Sequence, residues 1–345
     1  MYIKQNNCKS CDFNGWDCKN CYVDTGFNTE DIKKPNILFT IMLTRQCNYR
    51  CDYCALTFSN DIIDYNTIDT FITTIKNKSD LLGNIKIEFF GGEPLLEFDK
   101  LKYIVNKIKN IDGISFSVVT NGELLDQNKL DFLNLNNFEI VFSVTLKTLK
   151  LLNNKIEFFK ENNLNNIIIN FIVEPGKELN MFLILKLLLK TGFRKITILP
   201  VYYTKIWGKR LKYLDLLLKK ISKLHFDLKK SKYSFEVFYI RTNKEFEYNI
   251  KKNDYEFILD YNGVVYADYE TELYLLNDII PNNIFSYSDI YMGNILDKDF
   301  SLIDILIKRG EFNTIKYINK IINFLDIGDD LSGLGKIMKK NNVNL

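Results

Sequence analysis

Seven cysteines lie within the first 54 residues, and none follows in the rest of the 345-residue chain. Their spacing divides them into a group of four and a group of three: Cys8, Cys11, Cys18 and Cys21, then Cys47, Cys51 and Cys54. An odd number of cysteines grouped in this way is typical of metal thiolates and argues against a disulfide framework.

The group of three can reach one metal centre, because its thiolates lie within eight residues. A cubane cluster has four irons, so three cysteines leave one iron without a protein thiolate. Such an open position suits catalysis, whereas a purely structural site is closed. The alternative is a zinc site with a distant fourth ligand, but no cysteine follows Cys54 and the only histidine is His225. The triplet therefore predicts a four-iron cluster that binds a substrate or cofactor.

The group of four forms two C-x2-C pairs, Cys8–Cys11 and Cys18–Cys21. Four thiolates make a closed tetrahedral site for zinc or one iron, or hold a complete second iron–sulfur cluster. Unliganded or reactive cysteines are the alternative. We favour iron–sulfur over zinc because the neighbouring triplet already requires cluster loading.

Apolar runs alternate with amphipathic stretches after Pro35. Six runs have strand length: Ile37–Leu43, Ile85–Phe90, Ile114–Val119, Phe138–Val144, Ile167–Val173 and Lys195–Pro200. Their unbroken hydrophobicity is typical of strands buried on both faces. Between the first two, apolar residues recur at helical spacing from Ile68 to Ile75. The alternation predicts an α/β fold with a parallel sheet or barrel.

Chemistry in such folds takes place at the carboxyl ends of the strands. The unusual residues follow the predicted strands in turn: the cysteine triplet, Gly91–Pro94, Thr120–Gly122, Ser143 with Thr145, and Glu174. We therefore expect them to lie at one edge of the sheet.

A different pattern begins beyond about Trp207. Lys209–Lys230 predicts a long basic helix and Ser234–Ile240 a strand. Glu256–Asp260 and Val264–Asp268 flank Tyr261-Asn262-Gly263, which indicates a hairpin. We interpret His225 as structural. Trp207, Tyr202 and Tyr203 lie near the expected substrate entrance, although core packing explains them equally well.

The motifs resemble those of radical SAM enzymes. Cys47 to Cys54 match the C-x3-C-x-aromatic-C signature, and Gly91-Gly92-Glu93-Pro94 matches the motif that follows strand two in that family. The resemblance covers about residues 35–205. It implies a partial (β/α)6 TIM-like barrel of the radical SAM type over residues 35–207. A four-cysteine metal-binding segment over residues 1–34 would precede it, and an α+β extension over residues 208–345 would follow.

The resemblance also implies roles in binding S-adenosylmethionine (SAM) at a [4Fe-4S] cluster. The residues it assigns to the cofactor are Tyr53, Gly91, Gly92, Glu93, Pro94, Asn121, Ser143 and Thr145. Glycines would let the backbone approach the methionine moiety, and Glu93 would accept hydrogen bonds from its ammonium group. Many relatives have Ser-x-Asp-Gly where this chain has Ser143-Val144-Thr145-Leu146, so strand packing is the alternative for Ser143 and Thr145. Glu174 would touch the cofactor or solvate a loop.

A fainter resemblance lies in the C-terminal region. Leu259–Asp268 and Met292–Ile295 resemble the start of the SPASM extension of peptide-modifying radical SAM enzymes. This chain lacks the cysteines of that extension, and Asp268 stands where one would be expected. An auxiliary cluster is therefore not expected there, whereas the scaffold would remain for substrate binding.

The charge and hydropathy of the chain argue against nucleic-acid binding and a membrane span. A net charge of +3 is too small to indicate nucleic-acid binding, and no apolar run reaches the length of a membrane span. We expect a cytoplasmic enzyme that receives electrons from a partner such as flavodoxin or ferredoxin. The predicted reaction is reductive cleavage of SAM to a 5′-deoxyadenosyl radical that modifies a peptide or protein. The alternatives are a radical SAM enzyme acting on a small molecule and a non-catalytic cluster-binding scaffold.

Overall fold

Six β–α units follow one another at the start of the described chain. The computed structural model describes residues 34–54, 56–148, 151, 154–161, 164, 166–201, 210–231, 234–239, 254–267 and 287–311. The first six strands are β1 (Asn36–Thr44), β2 (Ile85–Gly91), β3 (Ile114–Thr120), β4 (Glu139–Val144), β5 (Ile167–Val173) and β6 (Lys195–Pro200). Each agrees with a predicted apolar run to within one residue at either end, so the predicted strands are confirmed.

The helices between these strands are α1 (Tyr65–Lys78), α2 (Phe98–Ile108), α3 (Gln127–Leu135), α4 (Ile156–Glu161) and α5 (Glu178–Thr191). Two of these helices have an aspartate N-cap. The Asp64 carboxylate accepts the Thr67 amide at 2.7 Å, and the Asp126 carboxylate accepts the Lys129 amide at 2.9 Å. Helix α1 buries the predicted apolar face from Ile68 to Ile75.

The later part of the chain adds four more strands to the same sheet. Its elements are α6 (Leu211–Leu228), β7 (Glu236–Tyr239), β8 (Asp254–Leu259), β9 (Val264–Tyr266), α7 (Tyr287–Ile290), β10 (Tyr291–Asn294) and α8 (Leu302–Glu311). The strand order is β10-β9-β8-β1-β2-β3-β4-β5-β6-β7 among the described residues. All neighbouring pairs from β8 to β7 are parallel, and the predicted hairpin is confirmed as the antiparallel pair of β8 and β9. The result is an open, mainly parallel α/β sheet of the expected partial-barrel kind.

The position of β8 did not follow from the sequence. It pairs in parallel with β1, in a register that runs from Asn36 opposite Asp254 to Ile41 opposite Leu259. The ring of Phe39 stacks on that of Phe257 at 5.4 Å across this pair. The sheet therefore continues past the expected division at residues 207/208, and the carboxyl end of β8 lies beside that of β1.

The core lies between the strands and the helices that cover them. The rings of Phe89, Phe116 and Phe138 stack with centroid distances of 5.3–6.4 Å, and all three are buried. Such apolar and aromatic packing makes the strands a rigid support for the loops at their carboxyl ends.

Candidate active site

The cysteine triplet lies in the loop that joins β1 to α1. Cys47 and Cys51 are half-buried and Cys54 is exposed. A local turn shapes the loop, because the Cys54 amide donates to the Cys51 carbonyl at 3.0 Å. The Tyr49 amide donates to the Cys47 sulfur at 3.3 Å. The loop therefore presents its thiols at the carboxyl end of β1, where the sequence predicted them.

The end of β2 packs directly against this loop. The amides of Gly92 and Glu93 donate to the carbonyls of Thr44 and Gln46, each at 2.8 Å. A Cβ on Gly91 would lie 2.2 Å from the Thr44 oxygen, and one on Gly92 would lie 2.0 Å from the Gln46 oxygen. Gly91 also has a φ of +130°, which other residues rarely adopt. Both glycines thus allow close approach to the chain's own cysteine loop, a requirement in addition to any approach to a cofactor.

Glu93 joins three elements beneath that loop. Its carboxylate accepts the Leu95 amide at 3.1 Å, the Thr120 hydroxyl at 2.8 Å and the Asn121 amide at 2.9 Å. Its side chain is fully buried, and burial raises its pKa to about 6 although the three hydrogen bonds lower it. Pro94, also buried, starts a short 3₁₀ turn over Pro94–Glu97. The structure therefore gives Glu93 a bracing role, and its direct contact with a cofactor remains a prediction.

The end of β3 holds the middle of the cysteine loop. The Asn121 side-chain amide donates to the Asn48 side chain at 2.8 Å and lies 4.0 Å from the Cys47 sulfur. Asn48 in turn donates to the Glu123 carboxylate at 2.7 Å, and the Tyr49 hydroxyl is hydrogen bonded to the same carboxylate. The structure brings Asn121 next to the triplet, as expected, and adds Asn48 and Glu123.

The loop after β4 also contacts the cysteine loop. The Lys147 ammonium donates to the Arg50 carbonyl at 2.9 Å and to the Asp52 carboxylate at 3.2 Å. Thr145 is buried, and its hydroxyl accepts the amides of Lys147 and Thr148 in a tight turn. These bonds favour the structural alternative for Thr145. Ser143 is half-buried in β4 and pairs in register with Asn170.

Tyr53 and Glu174 complete the described surroundings of the loop. The Tyr53 hydroxyl is hydrogen bonded to the Cys51 thiol, and burial raises the pKa of Tyr53. Glu174, at the end of β5, is buried and accepts Lys177 at 2.5 Å. Its Oε1 has no hydrogen-bond partner within the described ranges. Glu174 is therefore a buried acceptor near Tyr53, and the expectation that it merely solvates a loop is wrong.

The donors around the thiols fit an iron–sulfur cluster. The Cys47 sulfur accepts a backbone amide and Cys51 is hydrogen bonded to a tyrosine, and hydrogen bonds to the sulfurs tune such clusters. Burial raises the pKa of the Cys47 thiol, so a metal must displace its proton on binding. Among the described side chains, no three cysteines, histidines or carboxylates converge on a single metal ion. A cubane is ligated at separate irons and does not need such convergence.

A family model matches the stretch of chain that builds this site. A model of the radical SAM superfamily matches residues 41–202, from within β1 to just beyond β6. This chain contains a radical SAM domain. The domain covers the triplet, the Gly-Gly-Glu-Pro turn and the ends of β3 to β5, so the resemblance predicted from the two motifs is confirmed.

Curated relatives match parts of this chain. The radical SAM cyclopropyl synthase TigE of Paramaledivibacter caminithermalis is 30% identical over 124 residues, covering 30% of this chain and 26% of the relative. A GTP 3′,8-cyclase of Staphylococcus saprophyticus is 33% identical over 109 residues, covering 29% and 31%. An S-adenosylmethionine-dependent nucleotide dehydratase of Psychrobacter lutiphocae is 30% identical over 132 residues, covering 34% and 43%. The chain thus spans 26% to 43% of the length of these relatives.

Solved structures share the fold over more of the chain. The structure of anSMEcpe with bound AdoMet and the Cp18Cys peptide has a TM-score of 0.60 and 19% identity, and covers 82% of this chain and 84% of that chain. Streptococcus suis SuiB bound to the precursor peptide SuiA has a TM-score of 0.53 and 13% identity, and covers 70% and 61%. At these identities the likeness shows the fold alone.

Some predicted residues lie outside the described ranges. These are the four early cysteines Cys8, Cys11, Cys18 and Cys21, with Tyr202, Tyr203, Trp207 and Asp268. His225 lies in α6, where its ring contacts that of Phe235 edge-on at 5.2 Å, which agrees with a structural role.

Glu93→Ala is expected to weaken SAM binding by about 10- to 100-fold, because a charge-assisted hydrogen bond contributes about 1.5–3 kcal/mol. Protonation removes the charge, so wild-type affinity should be constant above pH 7 and fall as the pH drops through about 6. Glu93→Ala should lose this dependence. Calorimetry on reconstituted protein measures both effects, with thermal unfolding to confirm folding.

Glu97→Ala is the matched control, since Glu97 lies in the same turn and pairs with Lys100 at 2.5 Å. It should bind SAM like the wild type. If Glu93→Ala binds SAM with the affinity and the pH profile of the wild type, the assignment of Glu93 to SAM binding is refuted.

Proposed function

We propose that this protein is a radical SAM enzyme that modifies a peptide or protein side chain. One observation carries the enzymatic part: a three-cysteine loop is fixed by the ends of β2, β3 and β4 within a radical SAM domain. A loop held from three sides suits a site that must keep one iron open to a cofactor.

The chemistry that the [4Fe-4S] cluster and SAM supply when bound is one-electron cleavage of the sulfonium to methionine and a 5′-deoxyadenosyl radical, which abstracts a hydrogen atom. Cys47, Cys51 and Cys54 would hold the cluster. The backbone of Gly91 and Gly92 would face the methionine moiety, with Glu93 supplying negative charge beneath it. Tyr53 would flank the adenine and help to exclude water.

A peptide substrate is supported by the fold. Two of the similar structures are those of proteins bound to peptides, anSMEcpe and SuiB. The β8–β9 hairpin and β10, which carry the SPASM-like sequence, extend the sheet from β1. An extended peptide could join an edge strand through main-chain hydrogen bonds.

A small-molecule substrate is the second candidate. The GTP 3′,8-cyclase and the nucleotide dehydratase are relatives whose names specify nucleotide substrates. Their similarity covers only 29% and 34% of this chain.

Further partners remain part of this proposal. Cys8, Cys11, Cys18 and Cys21 would hold a second iron–sulfur cluster or zinc, and a flavodoxin or ferredoxin would supply the electron. Metal analysis of a variant lacking the triplet would distinguish about four residual irons from about one zinc.

No helix among the described residues has the length and apolar character needed to cross a membrane.

The substrate test uses the full chain, because β8 pairs with β1 and a truncation near Trp207 would remove it. Reduced, reconstituted enzyme is incubated with SAM and with peptides encoded beside its gene, and mass spectrometry reads the peptide. A mass change that requires SAM supports the peptide assignment. Consumption of a nucleotide with no modified peptide would favour the second candidate.

A further inference from the structure

Arg45 and Asp260 form a buried ion pair at the edge of the candidate active site. The Arg45 Nη2 lies 2.7 Å from the Asp260 Oδ2, and the two side chains are only 5% and 4% exposed. Arg45 directly follows β1 and stands two residues before Cys47, whereas Asp260 directly follows β8. The parallel pairing of β1 with β8 brings these distant residues together.

The surrounding contacts close a ring around this pair. The Arg45 guanidinium lies over the Tyr261 ring at 5.4 Å, and the Tyr261 amide donates to the Asp260 Oδ1 at 2.8 Å. The Tyr261 hydroxyl is hydrogen bonded to the Asp61 side chain. The Arg45 amide donates to the Asp61 carbonyl at 2.9 Å. The hairpin thus contacts the Arg45 side chain directly and its backbone through Asp61.

The backbone on either side of Arg45 carries the rest of the site. The carbonyls of Thr44 and Gln46 receive the amides of Gly92 and Glu93. A displacement of Arg45 would therefore move the cysteine loop relative to the Gly-Gly-Glu turn. Buried ion pairs contribute little net stability because both charges must be desolvated, so geometry is the better explanation for this one.

We propose that Arg45, anchored by Asp260 of the C-terminal hairpin, is a positioning residue that fixes the cysteine loop against the Gly91–Glu93 turn. The C-terminal region then contributes to cofactor binding as well as to any substrate binding. This inference rests on the proposed function, because its consequence is the geometry of a cluster and SAM at the triplet.

The test compares three variants with the wild type. Arg45→Met combined with Asp260→Asn removes both charges while leaving an oxygen for the Tyr261 amide. Lys86→Met combined with Glu139→Gln is the matched control, since that ion pair at 2.6 Å lies at the amino end of the strands and is half-exposed. Arg45→Lys keeps the positive charge and serves as the conservative variant.

The measurements are hydrogen exchange of the metal-free proteins, the EPR spectrum of the reduced cluster with SAM, and SAM affinity. The Arg45/Asp260 double variant should keep its melting temperature within a few degrees of the wild type. It should exchange faster in residues 45–53, bind SAM at least 10-fold more weakly and give an altered EPR signal with SAM. Arg45→Lys should recover most of the affinity, and the control should behave like the wild type.

Three outcomes would overturn the inference in different ways. Exchange, EPR and affinity equal to those of the wild type in the Arg45/Asp260 double variant would show that the pair does not position the loop, with the proposed function intact. A wild-type protein that takes up no cluster would overturn the proposed function and this inference together. A double variant that melts far below the wild type, with Arg45→Lys equally affected in melting but normal in affinity, would assign the pair a purely structural role.

Discussion

The variant with Cys47, Cys51 and Cys54 all changed to alanine is expected to fold but to form no 5′-deoxyadenosine. Folding should survive because Cys54 is exposed and the other two are only half-buried, so little core packing is lost. Cleavage should disappear because nothing else in the described chain offers three thiolates. Liquid chromatography of anaerobic, reduced reactions with SAM measures the product.

A matched control comes from the same loop. Asn60→Ala removes an exposed side chain beyond the triplet and should keep the wild-type rate. Full SAM cleavage by the triple cysteine variant, in the presence of a reductant, would disprove the assignment of the cluster to this loop.

Gly92→Ala is expected to abolish cluster uptake or to reduce it severely. The new Cβ would lie 2.0 Å from the oxygen and 2.5 Å from the carbonyl carbon of Gln46, which is backbone and cannot rotate away. The loop that carries the triplet must then move, breaking the bond from the Gly92 amide to Thr44. Overpacking of this kind typically costs about 1–3 kcal/mol of folding free energy. Iron analysis measures the loss of cluster uptake, and thermal unfolding measures the loss of folding free energy.

Gly293→Ala controls for the loss of a glycine as such. Gly293 lies in β10 without a positive φ, and its nearest neighbour would be a Phe300 ring carbon at 3.3 Å, which can shift slightly. It should take up iron like the wild type. Normal cluster content and SAM cleavage in Gly92→Ala would show that the close approach of the two loops is not required.

The strands and the site residues at their carboxyl ends were predictable, because each sequence pattern that marks them lies within a few neighbouring residues. Six continuous apolar runs mark parallel strands, and the polar residues that follow them must meet at one edge. Tyr261-Asn262-Gly263 marked the hairpin for the same reason, since its turn chemistry lies within a few residues.

Contacts between distant parts of the chain were not predictable. Nothing in Asp254–Leu259 specifies β1 as its neighbour, so the Arg45–Asp260 pair was missed. Lys147 and Glu123 are ordinary polar loop residues in the sequence, and only the fold shows that they hold the cysteine loop. For Glu93 the motif indicated a cofactor role, whereas full burial adds a bracing role that one sequence cannot show.

EPR spectroscopy of the reconstituted, reduced wild-type protein before and after SAM is added, with products measured in the same samples, tests most directly whether the triplet holds a catalytic cluster. We expect the signal of a reduced [4Fe-4S] cluster that changes when SAM binds, together with 5′-deoxyadenosine and methionine in equal amounts. A protein that carries the cluster but shows neither a change with SAM nor any 5′-deoxyadenosine would contradict it.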